Sequence, residues 1–125
     1  MRSNLRRTVW PRAVVTPRPW NTDEPGYPAA SRYVRTFWTA ALGPGAVADL
    51  LRLATAAARG RSLRRPLGLS RLCEAGLARE VNGHLEVRTV IPPVGGPVLR
   101  SLHPAVRRLH EEDRWRDEIE PRSAA

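Results

Sequence analysis

The sequence predicts a mainly helical α+β domain built from a three-helix core, a β-hairpin and one further C-terminal helix. Two observations lead to this fold class. Apolar residues recur at helical spacing in three segments between residues 31 and 75, and one Asn-Gly dipeptide separates two short runs of strand-forming residues. Because 125 residues leave room for one domain, we expect a single core.

Residues 1–30 predict a flexible, Pro/Arg-rich arm. Its five prolines remove backbone donors and favour extended conformations in the residues before them. Arginines interleave with Trp10 and Trp20 in this segment. The two rings are suited either to stacking on nucleic-acid bases or to pinning the arm onto the domain, and the sequence leaves both roles open.

The folded domain is expected over residues 31–94, and it opens with two helices. Ser31 is a good N-cap, and the helical spacing that follows it ends at Gly43 and Pro44. A second helix is predicted over about residues 45–58. Gly60 then stands just past its end, where a left-handed residue closes a helix.

A third helix is predicted between Ser62 and Ala75, with a start near Pro66 and a left-handed Gly76 after it. Residues 77–90 then predict a hairpin around Asn82-Gly83, because this dipeptide favours a type I′ turn. The expected cross-strand pairs are Val81 with His84, Glu80 with Leu85, and Arg79 with Glu86. Glu80 would lie on the apolar face beside Leu85, so a shift by one residue is also open.

Residues 95–125 predict a linker, a C-terminal helix and an acidic tail. Three prolines and two glycines end the sheet between residues 92 and 97. The last helix should start near Pro104, a residue suited to the first helical turn. Beyond residue 110, six acidic residues outnumber three arginines, which favours a frayed tail.

Three helices followed by a hairpin is the element order of a winged helix. Residues 67–87 are similar to the recognition helix and wing of bacterial winged helix-turn-helix regulators, with the pattern Leu-x-x-x-Gly-Leu before the strand and Gly-x-Leu at the turn. Residues 33–44, together with Pro92-Pro93, resemble an uncharacterised group of small proteins from high-GC bacteria. These resemblances cover about residues 31–94, and they imply a winged-helix-like domain that binds DNA.

The charge of the chain favours a polyanionic partner. Its formal net charge is +9 with a pI near 11.5, and all 21 basic residues are arginines. Long-range attraction then favours nucleic acid ahead of an anionic membrane surface. The sequence therefore predicts a protein that binds double-stranded DNA, as a transcriptional regulator or a chromatin-associated protein.

The resemblance implies that a basic helix, the wing and the arm contact the DNA. Residues 59–71 hold five arginines and no acid, whereas a solvated face more often alternates both signs. We expect all these side chains to converge on one side of the fold. The predicted binding residues are Arg59, Arg61, Arg64, Arg65 and Arg71 in the helical segment, Arg79, Asn82, His84 and Arg88 in the wing, and Arg6, Arg7 and Arg12 in the arm.

Other functions receive less support from the sequence. No metal-ligand spacing and no phosphate-binding loop is present, so we expect no enzyme, no metal and no cofactor. Cys73 lies in an apolar helical pattern, which predicts core packing in a reducing cytoplasm. The alternatives to DNA binding are a protein-interaction module for an acidic partner and RNA binding through the Arg/Trp arm. The sequence also leaves open a homodimer formed through the first and last helices.

Overall fold

Helices form where the sequence places apolar residues three and four positions apart. The computed structural model describes residues 13–119 and has a mixed α+β fold. Helix α1 contains a π-helical turn, Val34–Trp38, that continues as the α-helix Thr39–Leu42. The other helices are α2 (Pro44–Arg59), α3 (Leu69–Glu74), α4 (Gly96–Ser101) and α5 (Pro104–His110), followed by a 3₁₀ helix (Asp113–Glu118).

The first two helices follow the sequence prediction. The Ser31 hydroxyl accepts a hydrogen bond from the Val34 amide at 3.2 Å, which satisfies one of the free donors at the start of α1. Helix α2 ends at Gly60, whose φ of 64° is left-handed. Leu50 and Leu53 of α2 are completely buried in the core, so the apolar stripe of α2 faces inward.

Helix α3 is shorter than predicted. It begins at Leu69 and not near Pro66, and the residues before Pro66 are extended, with Leu63 and Arg64 paired to Val15 and Val14. The residue before a proline is pushed toward extended conformations, and the Arg65 amide donates to the Ala13 carbonyl at 2.7 Å. Among the five clustered arginines, only Arg71 lies on α3.

Residues 13–119 also contain seven short strands, and two of these form the predicted hairpin. The strands are β1 (Val14–Val15), β2 (Arg18–Pro19), β3 (Tyr27–Pro28), β4 (Leu63–Arg64), β5 (Ala78–Val81), β6 (His84–Val87) and β7 (Val90–Ile91). The predicted register of β5 and β6 is confirmed without a shift. Asn82 and Gly83 have φ values of 51° and 78°, as a type I′ turn requires.

Glu80 lies at the edge of the sheet, and this explains how the register tolerates an acid beside Leu85. Ala78, Leu85 and Val87 on the same face are buried. Glu80 is exposed and pairs with Arg65, with Nη1 and Oε1 3.2 Å apart. The carboxylate therefore stays solvated and the apolar part of the face keeps its packing.

The N-terminal segment is part of the fold, so the prediction of a free arm is wrong for residues 13–30. Strand β1 pairs antiparallel with β4, β2 pairs parallel with β6, and β3 pairs antiparallel with β7. The extended conformations that the prolines favour are those that strand pairing needs. Pro17 is fully buried. Residues 1–12, with Trp10, lie outside the described residues.

The C-terminal segment also packs onto the core. Helix α5 begins at Pro104 as predicted, but α4 occupies what the sequence predicted to be a linker. The prediction of a frayed tail is wrong through residue 119, because Trp115 is buried and its indole N–H donates to the Leu109 carbonyl at 2.8 Å. Glu118 accepts a hydrogen bond from the Tyr33 amide at 3.0 Å.

A buried aromatic cluster joins both chain ends to α1. The rings of Tyr27 and Tyr33 stack with their centroids 3.7 Å apart. The Tyr33 hydroxyl oxygen accepts from the Val94 amide at 2.9 Å, and it lies 2.6 Å from His110 Nε2. Because a buried hydroxyl proton needs an acceptor, Tyr33 donates it to His110. This arrangement requires a neutral His110 with its proton on Nδ1.

We expect the free energy of unfolding to decrease as the pH falls below about 6.5, in part through His110. Burial lowers the pKa of His110 in the folded protein, and the nearby Glu111 opposes this shift. The unfolded chain therefore binds the proton at a higher pH than the folded protein does. The contribution of His110 to the free energy of unfolding is complete above the unfolded pKa and is lost as the pH falls through the lowered folded pKa. Urea titrations at a series of pH values measure this slope, and His110→Gln should reduce it. If the wild-type and His110→Gln proteins have equal slopes, His110 does not contribute to the pH dependence of stability.

Candidate nucleic-acid interface

Three adjoining hollows lie between α2 and residues 61–71, and Arg52 lines all of them. The largest, of about 560 Å³, is at the N-terminal end of α2 and includes Arg71. The other two measure about 310 Å³ each, and they include Arg64 and Arg61 respectively. We refer to this surface, defined by Arg52, Arg61, Arg64 and Arg71, as the arginine groove.

A buried carboxylate fixes the shape of the groove. Asp49 on α2 is 7% exposed, accepts a hydrogen bond from the Gly68 amide at 2.9 Å and pairs with Arg52. Gly68 is needed at this contact, because a Cβ there would lie 2.7 Å from Asp49 Oδ2. This link holds the start of α3 against α2 and thereby sets where Arg71 lies relative to Arg52.

The positive charge of the groove is largely uncompensated. Arg61, Arg64 and Arg71 are exposed, and none of them forms an ion pair within residues 13–119. Among the four groove arginines, Arg52 alone has an acidic partner in the described part of the chain, namely Asp49. Residues 50–73 contain six arginines and no acid, so the groove is a surface that attracts anions.

Arg65 lies on another side of the molecule. Successive side chains of an extended segment point in opposite directions, so Arg64 enters the groove while Arg65 turns toward the hairpin. There Arg65 and Glu80 line a hollow of about 390 Å³ that also includes Thr16 and His84. The Glu80 carboxylate partly neutralises the positive charge of Arg65. Arg65 is therefore a weaker anion ligand than Arg64.

The arginines of the predicted wing gather around Trp20. The Arg79 guanidinium lies 4.2 Å from the centre of the Trp20 ring, and its Nε donates to Glu86 at 2.7 Å. The Arg88 guanidinium lies 4.3 Å from the same ring, and its Nε donates to the Gly76 carbonyl at 2.9 Å. Since the Trp20 amide also donates to the Val87 carbonyl at 2.8 Å, Trp20 pins the N-terminal segment to the sheet.

The structure therefore brings some predicted residues together and separates others. The expectation that all the arginines converge on one side is wrong, because the groove and the surroundings of Trp20 are different surfaces. Asn82 and His84 are exposed at the hairpin tip, and Arg59 is exposed at the end of α2. Arg6, Arg7 and Arg12 lie outside the described residues. Arg52 was not predicted, although counting the acid-free run from residue 50 instead of 59 would have included it.

His103 and Cys73, two side chains of types suited to metal or nucleophilic chemistry, have structural roles. Within residues 13–119 there is no group of three His, Cys, Asp or Glu side chains suited to a metal ion. His103 Nδ1 accepts from the Ala105 amide at 3.0 Å and caps α5. Cys73 is half-buried, and burial, with smaller contributions from Glu80 and Glu74, raises the pKa of its thiol. A raised pKa reduces the thiolate fraction, and with it the reactivity of the thiol.

Comparison with known proteins identifies no relative. The chain matches no protein-family model, no curated protein and no solved structure. Among the helices described here, none has the length and apolar character needed to cross a membrane. The site must therefore be interpreted from its own geometry and charge.

Proposed function

We propose that this protein binds double-stranded DNA through the arginine groove. The observation that carries the proposal is a set of three exposed arginines along one groove, Arg61, Arg64 and Arg71. None of them has an acidic partner among residues 13–119, and the net charge of the chain is +9. Guanidinium groups bind phosphates with two parallel hydrogen bonds and remain charged at every physiological pH.

The proposed contacts are with phosphates and not with base edges. A winged helix reads bases with a recognition helix in the major groove, but here α3 has six residues and Arg71 is the one predicted arginine on it. Arg64 lies on a strand and Arg61 in the connection before it. Phosphate contacts carry no sequence information, and this favours a chromatin-associated role over sequence-specific regulation.

Replacing the three unpaired groove arginines by alanine should weaken duplex binding about tenfold or more at moderate salt. The reason is the loss of three phosphate contacts, and each lost contact should also reduce the slope of log K against log salt by about one. Fluorescence anisotropy with a short labelled duplex, repeated over a series of salt concentrations, measures both quantities.

The matched control is the triple variant Arg35→Ala, Arg100→Ala and Arg108→Ala. These three arginines are exposed on α1, α4 and α5 and do not line the groove. The control removes the same net charge, so it reports the long-range effect alone. If both triple variants lose affinity equally, the proposed position of the interface is wrong.

A second candidate is an acidic partner protein in the same groove. Leu67 is 83% exposed and Leu51 is 38% exposed, and both line the hollows of the groove. Apolar contacts of this kind are little affected by salt, whereas phosphate binding weakens steeply. Duplex binding that is weak and insensitive to salt would favour the protein partner. RNA binding by stacking has less support, because guanidinium groups already lie against Trp20.

A further inference from the structure

We infer that the outer face of the hairpin sheet is a second DNA contact, and that one molecule bridges two duplex segments. This inference depends on the proposed function, because the arginine groove holds the first duplex. The second surface consists of Arg18, Trp20, Arg79 and Arg88, and we refer to it as the sheet face.

The register of the sheet places these side chains together. Arg18 of β2 is paired with Glu86 of β6, and Glu86 is paired with Arg79 of β5, so the three side chains form one row across three strands. Trp20, directly after β2, lies on the same face and contacts both the Arg79 and the Arg88 guanidinium groups. The positive groups of the sheet face are thus adjacent to one another.

The sheet face carries excess positive charge in a fixed arrangement. In the described part of the chain, one carboxylate, that of Glu86, lies among these three guanidinium groups. Arg18 is exposed and forms no ion pair within residues 13–119. Trp20 holds the other two guanidinium groups in place, which reduces the side-chain entropy that binding would cost. A polyanion is therefore the partner whose charge matches this surface.

The two basic surfaces lie on opposite sides of a two-layer core. Strands β2 and β6 pack against α2, and Leu85 and Val87 point from the sheet into the same apolar cluster as Leu50. The sheet face is the other side of this sheet. On α2 the exposed positions that line the groove, Ala48 and Arg52 among them, are opposite the buried stripe. A duplex in the groove therefore leaves the sheet face open to a second duplex.

A capture experiment tests this bridging with the full-length protein. One duplex is attached to beads, and a second duplex with a fluorescent label is added together with the protein at moderate salt. The wild-type protein should retain the labelled duplex on the beads. The variant Arg18→Ala, Arg79→Ala, Arg88→Ala should reduce this capture about fivefold or more, with less than about a twofold change in anisotropy-measured binding of one duplex.

A second variant separates the effect of charge from a loss of folding. Arg79 and Arg88 contact Trp20, whereas Arg18→Glu changes the charge of the sheet face and leaves both contacts in place. It should also reduce capture, and the control triple variant on α1, α4 and α5 should not. Capture by the sheet-face variants at the wild-type level would mean that self-association joins the duplexes, and it would overturn the inference. Tight binding of one duplex by the wild type without capture of another would overturn bridging alone, whereas no duplex binding would overturn the proposed function.

Discussion

Deletion of residues 1–30 is expected to unfold the domain. The deletion removes Tyr27, which stacks on Tyr33 in the core, together with the buried Pro17 and three strand pairings. Loss of a buried aromatic ring alone costs about 3–5 kcal/mol. Because a domain of this size is stable by only about 5–15 kcal/mol, the remaining contacts should not maintain the fold.

Thermal melting followed by far-UV circular dichroism measures this effect. The control is deletion of residues 1–12, which leaves in place every contact described for residues 13–119. We expect this shorter deletion to keep a cooperative transition. If the longer deletion melts at the same temperature as the control, residues 13–30 do not contribute to the core, and their three strand pairings carry little stability.

Local sequence signals predicted the helices α1, α2 and α5 and the hairpin. Each of these elements depends on residues close together in the chain: a Ser31 cap, a left-handed Gly60, a Pro104 in a first turn, and the Asn82-Gly83 turn that sets the register. The physical cause of each is local, so composition and spacing were enough to predict it.

The packing of the two chain ends was not predicted, because its partners are far away in sequence. Prolines indicated extended residues near the N-terminus, but nothing local identified β4, β6 and β7 as their partners. The requirement for glycine at position 26 is also set by a residue far away in sequence. A Cβ at this position would overlap the Ile91 carbonyl oxygen. The acidic composition of the C-terminal segment likewise gave no indication that Trp115 is buried.

The candidate site was predicted in composition but not in geometry. The density of arginines between residues 59 and 71 identified three of the four groove residues. The expectation that all the arginines converge placed Arg64 and Arg65 on the same surface, whereas the extended backbone at β4 directs their side chains to different sides. The extended backbone before Pro66 thus decides which arginines can act together.

Replacing Trp115 by alanine is expected to destabilise the protein by about 3–5 kcal/mol. Its ring is 5% exposed and meets Phe37 edge-on with the centroids 4.9 Å apart. The substitution leaves a cavity beside Tyr33 and removes the donor to the Leu109 carbonyl. Urea denaturation followed by circular dichroism at neutral pH measures the loss.

The control for this substitution is Leu67→Ala, which also removes a large apolar side chain. Leu67 is 83% exposed, so its truncation should change the free energy of unfolding by less than about 0.5 kcal/mol. A Trp115→Ala protein as stable as the Leu67→Ala control would show that residues 113–118 do not belong to the core. The predicted difference follows from burial, because Trp115 is 5% exposed and Leu67 is 83% exposed.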